Sequence, residues 1–385
     1  MNSLVKVTRF FMIAIGIWKI SLTKNVFLQK CYAAYSLAVP VYMNLFTISL
    51  LIRLVQLTTL DVPPGRLFGS LTIAIVISMM NASVLILLKN GIPFVFSEVI
   101  NEEIKILNSK DFEIKRAYLS QIKYYKGVAI CVIGSSCSSA ISFTSLNLYK
   151  KITDTFMENE CFMYEAWFPF DTVKHSNLVM FLNMLMVLIG TCCNVASRVT
   201  PQALIIFANA QLEILQIRIR KLFSNEDDEE KDIQRKVKDI VRQHQHLIKF
   251  VTSLNNSIKN IIFMEYVLNS INVAAAALQI ITVKTASEII FALVFLILVV
   301  LQIFTLAWSA NEINVQSTKI ANAVYDSNWT DQSEAIKKMM YVILMRAQKP
   351  LQLTIGPFGP INIESALLTM KGAYSFISVM MQSYT

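Results

Sequence analysis

Apolar residues run in blocks along this chain, and the blocks have the length of a bilayer. A spanning helix needs roughly 20 mostly apolar residues at about 1.5 Å each. Six stretches reach that length: Cys31 to Ile52, Leu67 to Leu88, Gly127 to Leu148, Leu178 to Arg198, Ile261 to Val283 and Ile289 to Ser309. A seventh, Ile361 to Ser383, is interrupted by Glu364 and Lys371. The pattern predicts an all-α integral membrane protein with seven transmembrane helices. The shorter run Phe10 to Trp18 follows Lys6 and Arg9 and precedes no small-residue cleavage site, so it reads as an amphipathic stretch lying on the membrane surface.

Between spans four and five lies a connection too long for an ordinary loop. Pro201 to Phe223 continues span four with Leu204, Phe207, Leu212, Leu215, Ile219 and Leu222 at helical spacing. The acidic run Glu226-Asp227-Asp228-Glu229-Glu230 then reads as a solvated turn, and Lys231 to Lys259 as a second helix returning to span five. These helices are expected to extend into a cytoplasmic bundle with Ser317 to Lys349, a surface suited to subunit contact.

Orientation follows from Lys and Arg, since short loops rich in them stay cytoplasmic. Before span one stand Lys6, Arg9, Lys19, Lys24 and Lys30, and the loops after spans two, four and six carry seven, ten and five more. The alternate set holds Arg53, Arg66, Lys150, Lys151, Lys174 and Lys284, so the bias is 27 to 6. A cytoplasmic N-terminus and an extracellular C-terminus are expected, the reverse of a G-protein-coupled receptor. Tyr149-Lys150-Lys151 after span three is not the Asp-Arg-Tyr type, and span seven has no Asn-Pro-x-x-Tyr.

Composition agrees with the blocks: 55% of residues are hydrophobic, 16% are charged, and mean hydropathy is +0.51. Soluble domains carry about 25% charged residues, which excludes a multi-domain cytosolic enzyme. The net charge of +9 reflects the inside bias; no basic patch interleaved with aromatics marks a nucleic-acid partner. Of six cysteines, only Cys161 falls in an outside loop, so the others read as small core residues. His244 and His246 project from opposite sides of a helix, a poor geometry for one metal. Gly356-Pro357-Phe358-Gly359-Pro360 lacks the Lys-Ser/Thr of a phosphate loop and reads as a turn before a helix. Neither catalysis, a cofactor nor a metal is expected, and no internal repeat points to a secondary transporter.

The last span is the most informative. With Glu364 at zero and about 100° per residue, Glu364, Lys371, Ser375, Ser378 and Gln382 fall within about 60° of one another. Such a stripe suits either the wall of an aqueous pore built from several subunits or hydrogen bonding to neighbouring helices. Leu367, Met370, Ile377 and Met381 are expected on the opposite face. The outside loop Tyr149 to Asn177 carries Asp154, Glu158, Glu160, Glu165 and Asp171, which either gather cations at an outer mouth or merely keep the loop soluble.

Arg346-Ala347-Gln348-Lys349-Pro350-Leu351, Leu353-Thr354-Ile355-Gly356-Pro357-Phe358 and Lys371-Gly372-Ala373-Tyr374-Ser375-Phe376 resemble the closing signature of insect odorant receptors. Gly16-Ile17-Trp18 is similar to that family's N-terminal Gly-Leu-Trp. Sister gustatory receptors close on Thr-Tyr and then Gln-Phe; Ser375-Phe376 and Gln382-Ser383 stand here in that frame, which favours the odorant branch. The resemblance implies a subunit that binds small volatile hydrophobic odorants and, with an odorant co-receptor subunit in a heterotetramer, gates a non-selective cation channel in the plasma membrane of an olfactory neuron dendrite. A G-protein-coupled or gustatory-type chemoreceptor is the alternative.

The same resemblance implies a pore lined by Glu364, Leu368, Lys371, Ser375, Ser378 and Gln382, with the gate at Val379. It also implies an outer pocket between spans two, three, four and six. With the expected orientation, that selects Phe68, Leu71, Thr72 and Ile75, then Ile141, Thr144, Ser145 and Leu148, then Phe181, Met184, Leu185 and Leu188, and finally Phe291 and Phe295. The chain is thus expected to comprise a cytoplasmic N-terminal segment with the surface stretch (1–30), spans one to four with the pocket (31–200), and a cytoplasmic helical extension (201–260). Spans five and six (261–310), a cytoplasmic anchor region (311–354) and the pore-lining last span (355–385) follow.

Overall fold

The computed structural model describes residues 3–18, 25–60, 64–152, 164–172, 174–224, 229–282 and 286–384. Ten α-helices appear among them: α1 (Val5–Ala14), α2 (Val26–Thr59), α3 (Pro64–Lys89), α4 (Ile92–Leu107), α5 (Phe112–Ile152), α6 (Ser176–Arg220), α7 (Glu230–Thr282), α8 (Ala286–Tyr325), α9 (Glu334–Ala347) and α10 (Ile363–Tyr384). The described residues contain no strand, only one antiparallel bridge between Thr354 and Pro360. Five helices are long and apolar enough to cross a membrane: α2, α3, α5, α6 and α8. The segments expected as spans five and seven are also helical, as the C-terminal part of α7 and as α10. At 22 residues, α10 reaches about 33 Å. The chain is therefore a multi-pass, all-helical membrane protein.

Two compact units are present. One comprises Lys6–Val95 and Ile130–Val199; the other comprises Met1–Val5, Phe96–Ala129 and Thr200–Thr385.

In the first unit, the motif Gly16-Ile17-Trp18 ends α1. Gly16 donates its N–H to Ile13 O at 3.0 Å, and Ile17 donates to Met12 O at 2.9 Å. That pair of bonds is the Schellman pattern, which puts the residue after the helix in the left-handed region; Gly16 has φ +74°. The turn buries Met12, Ile15, Ile17 and Trp18, and Arg9 lies 5.6 Å from the centre of the Trp18 ring. Packing against the chain itself thus takes up one side of α1, while Phe10 stays exposed.

In the second unit, the apolar positions anticipated after Pro201 all become core. Leu204, Phe207, Leu212, Leu215, Ile219 and Leu222 are buried, and the Phe207 and Phe250 rings meet edge to face at 5.7 Å. A ladder of buried amides ties α6 to α8. Gln202 Nε2 donates to Ser309 Oγ (3.1 Å), Asn209 Nδ2 to Ser309 O (2.8 Å), and Gln216 Nε2 to Gln316 Oε1 (2.7 Å). Each bond satisfies a polar group that would be costly to bury unpaired. Lys221 at the end of α6 reaches Asp111 and Glu113 at the start of α5, at 2.9 and 2.8 Å. Its hydrogen bond holds the Asp111 carboxyl below the usual range.

Candidate functional site

The entry to α10 is built from the closing motif. Ile361 N donates to Leu353 O at 2.8 Å and Ile355 N to Gly359 O at 2.9 Å, folding 353–361 into a tight hairpin. Gly356 (φ +51°) donates its N–H to Lys259 O at 3.0 Å, and the Phe358 ring stacks on Phe263 at 5.4 Å. Leu351 N reaches Ser317 Oγ on α8 at 2.9 Å. The motif therefore welds the hairpin to α7 and α8. Asn362 then caps α10 reciprocally: Ser365 N donates to Asn362 Oδ1 at 2.8 Å, and Asn362 N donates to Ser365 Oγ at 3.1 Å. This is the capping-box arrangement with Ser in the reciprocating place.

Helix α10 packs on α7 and α8 through small side chains. Ala366 and Ala373 are buried, at 0% and 3% exposure, and Thr369 and Met370 are half-buried beside them. Leu367, expected on that back face, is instead 48% exposed. The reason is angular: at about 100° per residue Leu367 stands only about 60° from Glu364, beside the stripe, whereas Ala366 and Ala373 fall about 160° and 180° away, on the true back of the helix. Glu364, Lys371 and Ser375 all lie on the opposite, exposed side, and Ser378 is half-exposed. Leu367 and Tyr374 flank this stripe on one side and Leu368 on the other, all exposed. The Ser375 and Ser378 hydroxyls each donate to a carbonyl of their own helix, Lys371 O and Tyr374 O, at 3.0 Å. The side chains of Val379, Ile377, Met381 and Gln382 lie outside the described residues.

Twelve of the fourteen expected pocket residues belong to the first unit, and Phe291 and Phe295 to the second. Thr72, Thr144, Leu148, Met184, Leu185 and Phe295 are half-buried; Leu71, Ile75, Ile141, Ser145, Phe181 and Leu188 are exposed. The side chains of Phe68 and Phe291 lie outside the described residues. The hydroxyls of Thr144 and Ser145 donate to Ala140 O (2.8 Å) and Ser142 O (3.1 Å) in their own helix.

The structure adds a cluster that the spans alone do not suggest. Tyr42 and Phe46 on α2, Phe143 on α5 and Tyr164 in the outer loop form a chain of rings with centroids 5.3 to 6.1 Å apart. Tyr42 Oη donates to Leu182 O of α6 at 2.7 Å, and Asn81 Nδ2 of α3 to Asn44 Oδ1 of α2 at 3.1 Å. The loop is strapped to α2 by Trp167 N donating to Ser49 O (3.1 Å) and by Arg53 beside Glu165 (3.8 Å). Burial pushes the Tyr164 phenol up to about 12, which keeps it a neutral donor. Tyr42, Phe46, Ser49 and Arg53 repeat at i, i+4, i+7 and i+11, and that spacing was the available signal. Of the loop acids, Asp154, Glu158 and Glu160 lie outside the described residues.

Among the described residues no three His, Cys, Asp or Glu side chains gather at a possible metal site. His244 is buried, whereas His246 is exposed and lies 2.9 Å from Glu98.

The comparisons with known proteins agree with one another. The model of the 7tm odorant receptor family matches residues 69–374. Odorant receptor 10 of Aedes albopictus is 25% identical over 182 residues, covering 46% of this chain and 48% of the relative. Odorant receptor 67c of Drosophila melanogaster is 22% identical over 236 residues, covering 60% and 57%. The chain spans about half the length of the curated relatives it matches. The structure of the insect olfactory receptor OR5 from Machilis hrabei in complex with eugenol superposes with a TM-score of 0.81 at 18% identity, over 99% of this chain and 97% of that one. The fold is thus shared along nearly the whole chain, and the family match shows that the chain belongs to the insect 7tm odorant receptors.

Proposed function

We propose that this chain is the ligand-binding subunit of an odorant-gated, non-selective cation channel. It assembles with an odorant co-receptor subunit as a heterotetramer in the plasma membrane of olfactory neuron dendrites, N-terminus inside and C-terminus outside. The single observation that carries the reading is α10: a polar stripe turned away from the chain's own helices, with exposed apolar residues on both flanks. A monomer in lipid would pay heavily for Glu364 and Lys371 there. In a ring of subunits the stripe faces water and the flanks face neighbours.

In this reading Glu364, Leu368, Lys371, Ser375, Ser378 and Gln382 line the pore and Val379 forms its gate. Odorants enter an outer pocket drawn from Phe68, Leu71, Thr72, Ile75, Ile141, Thr144, Ser145, Leu148, Phe181, Met184, Leu185 and Leu188, with Tyr42, Phe46, Phe143 and Tyr164 as its aromatic wall. Such a lining selects small apolar molecules by shape and dispersion. That a receptor of the same fold was solved with eugenol supports this class. The test is an odour panel on cells expressing the chain with a co-receptor subunit. Odorant-evoked cation current that persists under G-protein block is expected, and current abolished by the block would overturn the channel reading.

A further inference from the structure

We infer that Lys371 is a selectivity determinant: its ammonium group in the pore wall opposes divalent cations more than monovalent ones. The inference rests on the reading of α10 as the pore helix.

Lys371 stands at the middle of the exposed stripe, within about 20° of Glu364 and about 40° of Ser375 around the helix axis. Glu364 and Lys371 are seven residues apart, about 10.5 Å along the axis. Among the described residues Lys371 forms no ion pair, and its backbone carbonyl merely accepts from Ser375 Oγ. Its charge is therefore presented to whatever the stripe faces. The buried face at Ala366 and Ala373 fixes the rotation of α10, so Lys371 cannot turn back into the protein without unpacking that contact.

Two consequences follow from Coulomb's law. Repulsion by a fixed positive charge is twice as strong for a divalent as for a monovalent ion at the same distance, so the divalent ion is selected against. The effect also scales with the number of copies. A ring made wholly of this chain places one ammonium per subunit at a single level of the pore. Mixing with a subunit that lacks the charge dilutes it.

The experiment uses Lys371→Cys in the full chain expressed with a co-receptor subunit, with the ratio of Ca²⁺ to Na⁺ permeability read from reversal potentials. A cationic thiol reagent restores the charge and an anionic one inverts it, on the same folded channel. The expected order is a ratio lowest with the cationic adduct, higher with free cysteine and highest with the anionic adduct, spanning severalfold. If Lys371→Cys does not reach the surface, Lys371→Gln against Lys371→Arg gives the same comparison, with only the Gln variant raising the ratio. Ser375→Cys, one turn on, separates the two readings. Should Ser375→Cys react with current change while position 371 leaves the ratio unmoved, the inference falls and the pore reading stands. Should neither respond, both fall.

Discussion

Asn255 on α7 grips Thr354 through its carboxamide: Thr354 N donates to Asn255 Oδ1 at 2.8 Å, and Asn255 Nδ2 lies 3.3 Å from Thr354 Oγ1. The grip fixes the first arm of the turn that leads into α10. Replacing Asn255 with Ala leaves the Thr354 N–H without its acceptor in a part-buried place, a loss of about 1–3 kcal/mol. A lower melting temperature in detergent is expected for Asn255→Ala. Asn255→Asp, which keeps the acceptor oxygen, should lose less. Equal melting of all three proteins would show that the grip does not hold the hairpin.

Two glycines rank by what a methyl group would meet. At Gly16, a Cβ would stand 2.7 Å from Ser36 Cα, and at Gly356 it would stand 3.2 Å from Phe263 Cβ; both have positive φ. A left-handed backbone costs a non-glycine residue roughly 1–2 kcal/mol, and at Gly16 the backbone of α2 must also move. Gly372 in α10 has nothing within 4 Å, and alanine there gains up to about 1 kcal/mol of helix stability. Thermal melting of the three alanine variants should place Gly16→Ala lowest, Gly356→Ala next and Gly372→Ala at or above the parent. Gly16→Ala melting at or above Gly356→Ala would contradict the close approach at Ser36.

Much of this was legible beforehand because bilayer length and charge bias act on long stretches. Apolar blocks located the long helices, and Leu204 to Leu222 at helical spacing announced the buried face beyond Pro201. The aromatic wall was hidden for a physical reason. Helix α2 is apolar nearly all round, so Tyr42 and Phe46 do not stand out until Tyr164, over a hundred residues later, packs against them. The back of α10 was misjudged at Leu367 because the expectation followed hydrophobicity rather than angle: about 60° from Glu364, Leu367 borders the stripe, and the back belongs to Ala366 and Ala373. The amide ladder was visible only as Gln202, Asn209 and Gln216 at intervals of seven, with nothing to name its partners.

His244 should give folding a pH dependence of definite sign. Burial, and secondarily the Arg346 guanidinium, lowers its pKa to about 4 from 6.5. The unfolded chain therefore binds a proton that the folded one refuses. Stability from this site is complete above about pH 6.5 and is lost as pH falls toward 4, on the order of 3 kcal/mol at the end of that window. Melting measured from pH 7.5 to 4.5 should fall more steeply for the parent than for His244→Gln. Parallel curves would mean that His244 titrates normally.

Asn328-Trp329-Thr330 is a glycosylation sequon on an exposed asparagine between α8 and α9. In the proposed orientation it faces the cytoplasm, away from the glycosylating enzymes. Expression in insect cells should give no shift in gel mobility on glycosidase treatment, and an Asn328→Gln variant should migrate like the parent. A glycan on Asn328 would invert the topology and with it the placement of both pocket and pore.

The amide ladder sets the register of α6 against α8, and its Gln216–Gln316 rung can be weighed separately. Gln216 Nε2 donates to both Gln316 O (3.0 Å) and Gln316 Oε1 (2.7 Å), while Gln316 Nε2 donates onward to Glu312 at 2.6 Å. Both glutamines are buried, so removing Gln216 alone strands the Gln316 side-chain oxygen at a cost of about 1–3 kcal/mol, whereas removing both strands no amide and takes a donor only from the half-buried Glu312. Gln216→Leu alone should therefore lower the melting temperature more than Gln216→Leu combined with Gln316→Leu. The double variant should thus keep more of its stability than Gln216→Leu while losing the directional bond that holds one register, and its odorant-evoked current should fall below that of the parent. If the two changes simply add in stability, the rung carries no coupling and the register must be held by the apolar contacts around it.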